Sequence, residues 1–357
     1  MDISLFDYPL PEELVARHPT PERDQSRLFV IDRTSGSFIH EHFSNISKFL
    51  RRGDLLVLND TKVIPARLMG QRLPGGGKVE TLLLKEIEPL LWQVMVRPAK
   101  KIHTGDRIVF QPKLLEGEIT GYIAPGERLM RFTCREDWWE TLEKVGHTPL
   151  PPYILKGRRD DLHTDLGHTP LEESEDRVRY QTIYARVLGS VAAPTAGLHF
   201  SEGILDDLKS RGIEVAFVTL HIGAGTFKPV TTERVEDHPM HWETYQLSTE
   251  DTEKINHAKM EGRRIIPVGT TSVRTLETCA DMEGFVHPAS GETNLLIIPG
   301  YRFKCADALL TNFHLPRTTL LMLVCAFGGR ELVLRAYEEA VRKCYRFYSF
   351  GDAMLIL

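Results

Sequence analysis

Four histidines of this 357-residue chain stand beside glycine, threonine or asparagine: His199 in APTAGLHF, His221 in TLHIGAGT, His241 in HPMHWE and His314 in TNFHLP. Any one of them alone is more often a satisfied structural residue. Together they point to proton transfer, for which imidazole is the best-poised side chain near neutral pH. Further polar groups cluster at Asn59, Asp60 and Thr61, at Thr195, at Gly223, Gly225 and Thr226, and at Asn312. In GTTSVR (269–274) the run opens a helix, whose first amides and hydroxyls suit a carboxylate, a phosphate or a sugar hydroxyl. Thr270 and Thr271 serve equally well as plain helix caps, and the residues alone do not separate the two readings. His238 and His241 have a metal-like spacing, but zinc requires at least three protein ligands and Pro239 breaks a helix that would align them. No metal site is expected.

These groups need elements to hold them. Residues 55–58 read as a buried strand, and from residue 177 onward strand alternates with helix. Strands are predicted at 213–222, 264–268 and 295–298, and helices at 201–211, 250–261 and 331–345. Gly212 and Gly262 close the first two helices. Such alternation predicts a largely parallel sheet covered on both faces, with its site in the loops after the strand C-termini. Asn59 and Thr270 follow predicted strands, and His221 lies at the end of one. Between residues 63 and 150, short β-prone runs at 79–84, 92–96, 107–110 and 129–133 alternate with Gly/Pro turns, which predicts a small β-barrel. The expected organisation is therefore an α/β domain of residues 1–62 and 151–357, with a barrel of residues 63–150 inserted after its first strand. Residues 156–176 carry seven acidic and three basic side chains and few large apolar ones, and are expected to form a loop.

Composition narrows the function classes. With 42% hydrophobic and 26% charged residues the chain is globular, and 44 basic against 49 acidic side chains exclude a wholly basic surface but not a local basic patch. The five cysteines (Cys134, Cys279, Cys305, Cys325 and Cys344) form no close pair, which fits a reducing compartment. MDISLFDYPLPEEL is not a signal peptide, and the longest apolar run, 320–327, is far short of the roughly 20 residues that span a bilayer. A cytoplasmic protein with no membrane partner is expected. GAGTFKP lacks the third glycine of a dinucleotide fingerprint, and no Walker A pattern surrounds Gly77-Lys78.

Nine segments resemble the S-adenosylmethionine:tRNA ribosyltransferase-isomerases of queuosine biosynthesis. They are LVLNDTKVIPARL (56–68), PLPPYI (149–154), RYQTIYA (179–185), SVAAPTAGLHF (190–200), TLHIGAGTFKPV (219–230), HPMHWE (238–243), VGTTSVRTLE (268–277), TNFHLPRTTLLMLVCAF (311–327) and YRFYSFGDAM (345–354). The resemblance runs in order along nearly the whole chain. It departs in the longer acidic stretch and in Thr318, where serine is usual. It implies a three-layer α/β/α sandwich with an inserted β-barrel. It also implies transfer and isomerisation of the ribosyl group of S-adenosylmethionine onto 7-aminomethyl-7-deazaguanine at the tRNA wobble position. Epoxyqueuosine-tRNA forms, with release of adenine and methionine.

On that reading S-adenosylmethionine is consumed as a co-substrate, no cofactor is needed, and a monomer is expected. The sulfonium acidifies the ribose C5′ protons. A base removes one, adenine leaves, the deazaguanine amine attacks, and methionine departs on epoxide closure. His221 or His199 is the expected base, with Asn59, Asp60, Asn312 and His314 around sugar and adenine and Arg274 on the methionine carboxylate. Thr195, Gly223, Gly225, Thr226, His241, Thr270 and Thr271 complete the expected substrate contacts. For tRNA the candidates are Arg51, Arg52, Arg177, Arg179, Arg342 and Arg346, with further basic clusters at 100–101, 156–159 and 263–264 and at Arg335. Two other classes compete: an RNA methyltransferase, which would release S-adenosylhomocysteine, and a non-catalytic RNA-binding protein, which would consume nothing.

Overall fold

The computed structural model describes residues 1–162, 169–223, 230 and 232–357. Its centre is a twisted sheet built in two parts. One part orders the strands Leu309–Asn312, Ala353–Ile356, Arg27–Asp32 and Ser37–His42. The other orders Ile265–Pro267, Leu55–Asn59, Glu214–Leu220, Glu243–Leu247 and Ala289–Thr293. A parallel bridge between Val268 and Leu310 joins them.

Alternation along each strand decides which layer it feeds. Leu28, Val30, Leu56, Leu58, Ile266, Leu310 and Leu355 face one side, packed under the helical turn Thr195–His199 and the helix Glu202–Ser210. Phe29, Ile31, Met354 and Ile356 face the other side beneath the helices Thr319–Gly328 and Arg330–Arg342. On that same side Leu55, Val57, Ala216 and Val218 lie beneath Thr249–Met260 and Thr270–Cys279. This is the α/β/α sandwich. The barrel beside it is closed by six strands in the order Glu127–Cys134, Leu91–Arg97, Lys78–Glu88, Arg67–Leu73, Arg107–Gln111 and Leu115–Ala124. Thr318, the departure from serine, caps the Thr319–Gly328 helix through the Leu321 amide, a task either hydroxyl performs.

Three expectations are corrected. The sheet is mixed rather than largely parallel. Arg27–Asp32 and Ser37–His42 form a tight hairpin, too short for the crossover a parallel pair requires. Residues 295–298 form no strand. They pack irregularly on the core under Thr319–Gly328, and the edge strand is Ala289–Thr293 instead. The acidic stretch is largely helical, in Pro152–Leu162 and Pro170–Arg179. Residues 163–168 lie outside the described residues. Thr169 and Glu172 form a capping box with Pro170 at the first helical position. Arg158 is buried and grips Asp176 with two bonds of 2.6 and 3.1 Å, tying the two helices together. Removing one partner strands the other charge in the interior. Asp176→Ala is therefore expected to lower the unfolding free energy by about 3–5 kcal/mol in chemical denaturation, and a loss below about 1 kcal/mol would mean that water already serves the pair.

Candidate functional site

The loops after the central strands meet on one buried amide. Asn59 ends the Leu55–Asn59 strand, and its Nδ2 donates to the Leu220 carbonyl (3.0 Å) and to Thr271 Oγ1 (3.1 Å). Its Oδ1 accepts from the amides of Leu220 and Thr61, both at 3.1 Å. One side chain thus fixes three of the segments singled out in the sequence.

Asp60, also buried, directs Oδ1 to the Thr219 hydroxyl (2.7 Å) and Oδ2 to Arg186 Nε and Nη2 (3.1 and 2.8 Å). The guanidinium of Arg186 lies over the Phe217 ring, 4.4 Å from its centroid. His221 sits next to this pair. Its Nδ1 bonds Thr61 Oγ1 at 2.8 Å, and its Nε2 has no partner among the described residues. Burial lowers the imidazole pKa, and the Asp60 carboxylate pulls it partly back up. The ring rests on Gly189, whose φ is +145°. A Cβ there would come within 3.1 Å of three ring atoms, so no other residue fits without moving the imidazole.

His199 is arranged differently. Its Nε2 receives a bond from Asn312 Nδ2 (3.1 Å) and its Nδ1 meets Ser26 Oγ (2.7 Å). Asn312 Nδ2 also donates to the Tyr348 carbonyl (3.3 Å), which orients the amide and makes His199 Nε2 the acceptor. Tyr348 adopts φ +76°, a costly conformation for a bulky residue, and so aims that carbonyl. His314 bonds Thr311 through Nε2 (3.0 Å), and its backbone carbonyl and amide are held by Tyr8 and Tyr337. Burial drives both His199 and His314 down to about 3. They are neutral wedges with little room to shuttle protons, whereas His221 keeps an open nitrogen.

A narrow cleft lies over these loops, lined by Thr195, Ile222, Thr270, Thr271, Asn312 and His314 among others. Leu320 also walls a second cleft that contains His241, Glu243 and Arg274. Arg274 is buried and already engaged. It pairs with Glu243 through Nη1, donates to the Leu295 carbonyl through Nε (3.0 Å) and reaches the Thr293 carbonyl through Nη2. Glu243 in turn accepts from the Gly223 amide at 3.1 Å. His241 is exposed on the rim. Gly225 and Thr226 lie outside the described residues.

The basic candidates scatter. Arg51 and Arg52 are exposed at the N-terminal end of the Leu55–Asn59 strand, about 15 Å from Asn59 at ~3.3 Å per residue. Arg264 is paired with Asp54, and Arg263 with Glu214 and Glu261. Arg177 binds Glu173, Glu143 and the Gly146 carbonyl, and Arg179 binds the Thr20 and Pro21 carbonyls. Arg342 is paired with Glu339, while half-buried Arg346 turns inward to the His18 carbonyl. Arg158 is buried on Asp176 and offers nothing to a phosphate. Nearer Asp60 stand Lys62 and Arg186, which sequence reading missed, along with Ser26, Gly189, Glu243, Tyr348 and Ser349. For Arg186 the adjacency to the RYQTIYA segment was the one available signal.

An imidazole with a free nitrogen beside a buried carboxylate, in the loops at the strand ends, is the equipment of an enzyme that moves a proton on a small bound substrate. More particularly, the chain belongs to the family described as queuosine biosynthesis protein, which matches residues 3–356. This is the family that the sequence segments resemble. It is 52% identical over 357 residues to the S-adenosylmethionine:tRNA ribosyltransferase-isomerase of Carboxydothermus hydrogenoformans, and 49% identical over 357 residues to that of Caldanaerobacter subterraneus, both chains being covered completely. The crystal structure of S-adenosylmethionine tRNA ribosyltransferase from Thermotoga maritima is similar with a TM-score of 0.55 at 37% identity. The match spans 99% of this chain and 100% of that one.

Two titrations follow from the geometry. The His221 pKa lies below its ordinary value, and Asp60→Asn, which removes the one group raising it, is expected to lower it further in an NMR titration. An upward shift would place the carboxylate elsewhere. His199 and His314 resist protonation down to about pH 3 in the fold, while the unfolded chain protonates them below about 6.5. Stability should therefore fall as pH drops below about 6.5, by roughly 1.4 kcal/mol per unit for each ring. Urea midpoints measured against pH should show a shallower slope in His314→Asn than in the unsubstituted protein.

Proposed function

We propose that this protein transfers and isomerises the ribosyl group of S-adenosylmethionine onto 7-aminomethyl-7-deazaguanine in the wobble position of tRNA, releasing adenine and methionine. The observation that carries this reading is full-length identity of about half to relatives bearing that activity in their names. The site supports it chemically. Abstraction of a C5′ proton next to a sulfonium needs a base that is neutral before the step. His221, uncharged through burial and open at Nε2, meets that need. Asp60 sits where it stabilises the imidazolium formed. His199 is a positioning residue that holds Asn312, because both of its ring nitrogens are engaged.

S-adenosylmethionine acts as a consumed co-substrate whose sulfonium supplies the leaving group, so no separate cofactor takes part. A cytoplasmic setting is favoured by five free thiols. No helix among the described residues is long and apolar enough to cross a membrane.

His221→Ala is expected to slow adenine and methionine release by about 10²–10⁴-fold, followed by mass spectrometry on precursor-bearing tRNA. Release at the unsubstituted rate would remove His221 as the base, and S-adenosylhomocysteine in place of adenine would make the protein a methyltransferase. For tRNA the footprint runs past Lys62 beside the site. Lys62→Ala should weaken tRNA binding and reduce the slope of log affinity against log salt by about one, whereas Arg51→Ala should leave both nearly unchanged.

A further inference from the structure

The helix Thr270–Cys279 begins without a cap. Its N-cap position is Gly269 at φ +88°, which has no side chain to offer. The Gly269 amide is spent on the Leu310 carbonyl. Thr271 Oγ1 accepts from Asn59, and the Ser272 hydroxyl donates to the Val268 carbonyl, so neither is turned to the helix end. Among the described residues no acceptor reaches the amides of Thr270, Thr271 or Ser272. Three parallel donors at the positive end of a helix dipole, in residues at most 6% exposed, form a strong site for an anion.

A second observation points into the same place. The strand Leu309–Asn312 runs parallel to the chain that enters this helix, and Asn312 lines the cleft together with Gly269, Thr270 and Thr271. Asn312 is 1% exposed. Its Nδ2 serves His199 and Tyr348, while its Oδ1 has no partner. Ser349, 2% exposed, lines the same cleft with an unpartnered Oγ. Buried polar atoms are almost always satisfied, so two orphans beside three free amides mark a place where a ligand completes the bonding.

We infer that this corner binds the amino-acid end of S-adenosylmethionine: the carboxylate on the amides of residues 270–272, the α-ammonium on Asn312 Oδ1, and Ser349 as a supplementary hydroxyl. Carboxylate and ammonium share one carbon, and here the donors open the helix that follows Val268 while the acceptor ends the strand Leu309–Asn312 that is bridged to Val268. Arg274 is thereby released from the role of carboxylate clamp, because Glu243 already neutralises it. Ile222, which follows the base His221 in the chain, lines the same cleft. This inference rests on the proposed use of S-adenosylmethionine.

Calorimetry with two probes separates the two ideas. S-adenosylhomocysteine carries the amino-acid end, and 5′-methylthioadenosine lacks it. Thr270→Pro deletes one amide at a first-turn position where proline fits, and Thr270→Val deletes the hydroxyl but keeps the amide. Asn312→Ala removes the acceptor, and thermal melts confirm that each variant folds. S-adenosylhomocysteine affinity should fall about tenfold or more in Thr270→Pro and in Asn312→Ala and stay within about twofold in Thr270→Val, with 5′-methylthioadenosine unchanged throughout. Should Thr270→Pro be unable to fold, Asn312→Ala alone decides. Equal losses for both probes, or no loss for either, would overturn the subsite. Failure of the unsubstituted protein to bind either probe would instead overturn the use of S-adenosylmethionine.

Discussion

Everything at the strand ends depends on the Asn59 side chain being satisfied by four partners at once. A neutral amide is one of the few groups that can donate twice and accept twice in a dry interior. Here it holds the Leu220 backbone in both directions, the first turn of the Thr270–Cys279 helix, and the Thr61 amide. Because Thr61 orients His221, and Asp60 lies between Asn59 and Thr61, the position of the base is inherited from that amide. A carboxylate at 59 would lose both donations, and an apolar residue would leave four backbone or hydroxyl groups unpaired. The local rigidity needed for a defined proton transfer therefore comes from hydrogen bonding in the core, with packing as its support.

The two clefts divide the labour of charge. Around Arg274 the structure neutralises a cation with a carboxylate and leaves a closed, self-satisfied pair. Around the Thr270–Cys279 helix it does the reverse and leaves donors and acceptors open. Buried ion pairs stabilise little but are expensive to break. The Arg274–Glu243 pair is thus better suited to fixing the Gly223 backbone than to greeting a substrate.

Much of this was legible in the sequence, and the failures have physical causes. The strand ends were readable because polar clusters interrupt apolar runs at Asn59, His221, Thr270 and Asn312. The barrel was readable from its turns, although the strands Arg67–Leu73 and Leu115–Ala124 were hidden by their polar and glycine-containing pattern. Helix Pro170–Arg179 is masked by its acidic, apolar-poor composition, and the Thr169–Glu172 capping box is the local signal that marks it. The distinct fates of His199 and His221 could not be read at all. Both sit among small polar neighbours, and only the fold shows that Ser26 and Asn312 close one ring while Gly189 leaves the other open. Arg274 likewise looked available because Glu243, its neutralising partner, comes from a distant strand.

The order of the strands also bears on how the chain comes to be folded as it leaves the ribosome. Every barrel pairing lies within residues 67–134, so that unit can close while synthesis continues. The large sheet cannot. Arg27–Asp32 must wait for Ala353–Ile356, and Leu55–Asn59 must wait for Glu214–Leu220 and Ile265–Pro267. Contacts this distant fold slowly and leave strand edges exposed meanwhile. During translation the finished barrel thus sits beside an unfinished sheet, and a nascent chain that stalls late holds a folded module attached to strands with open edges.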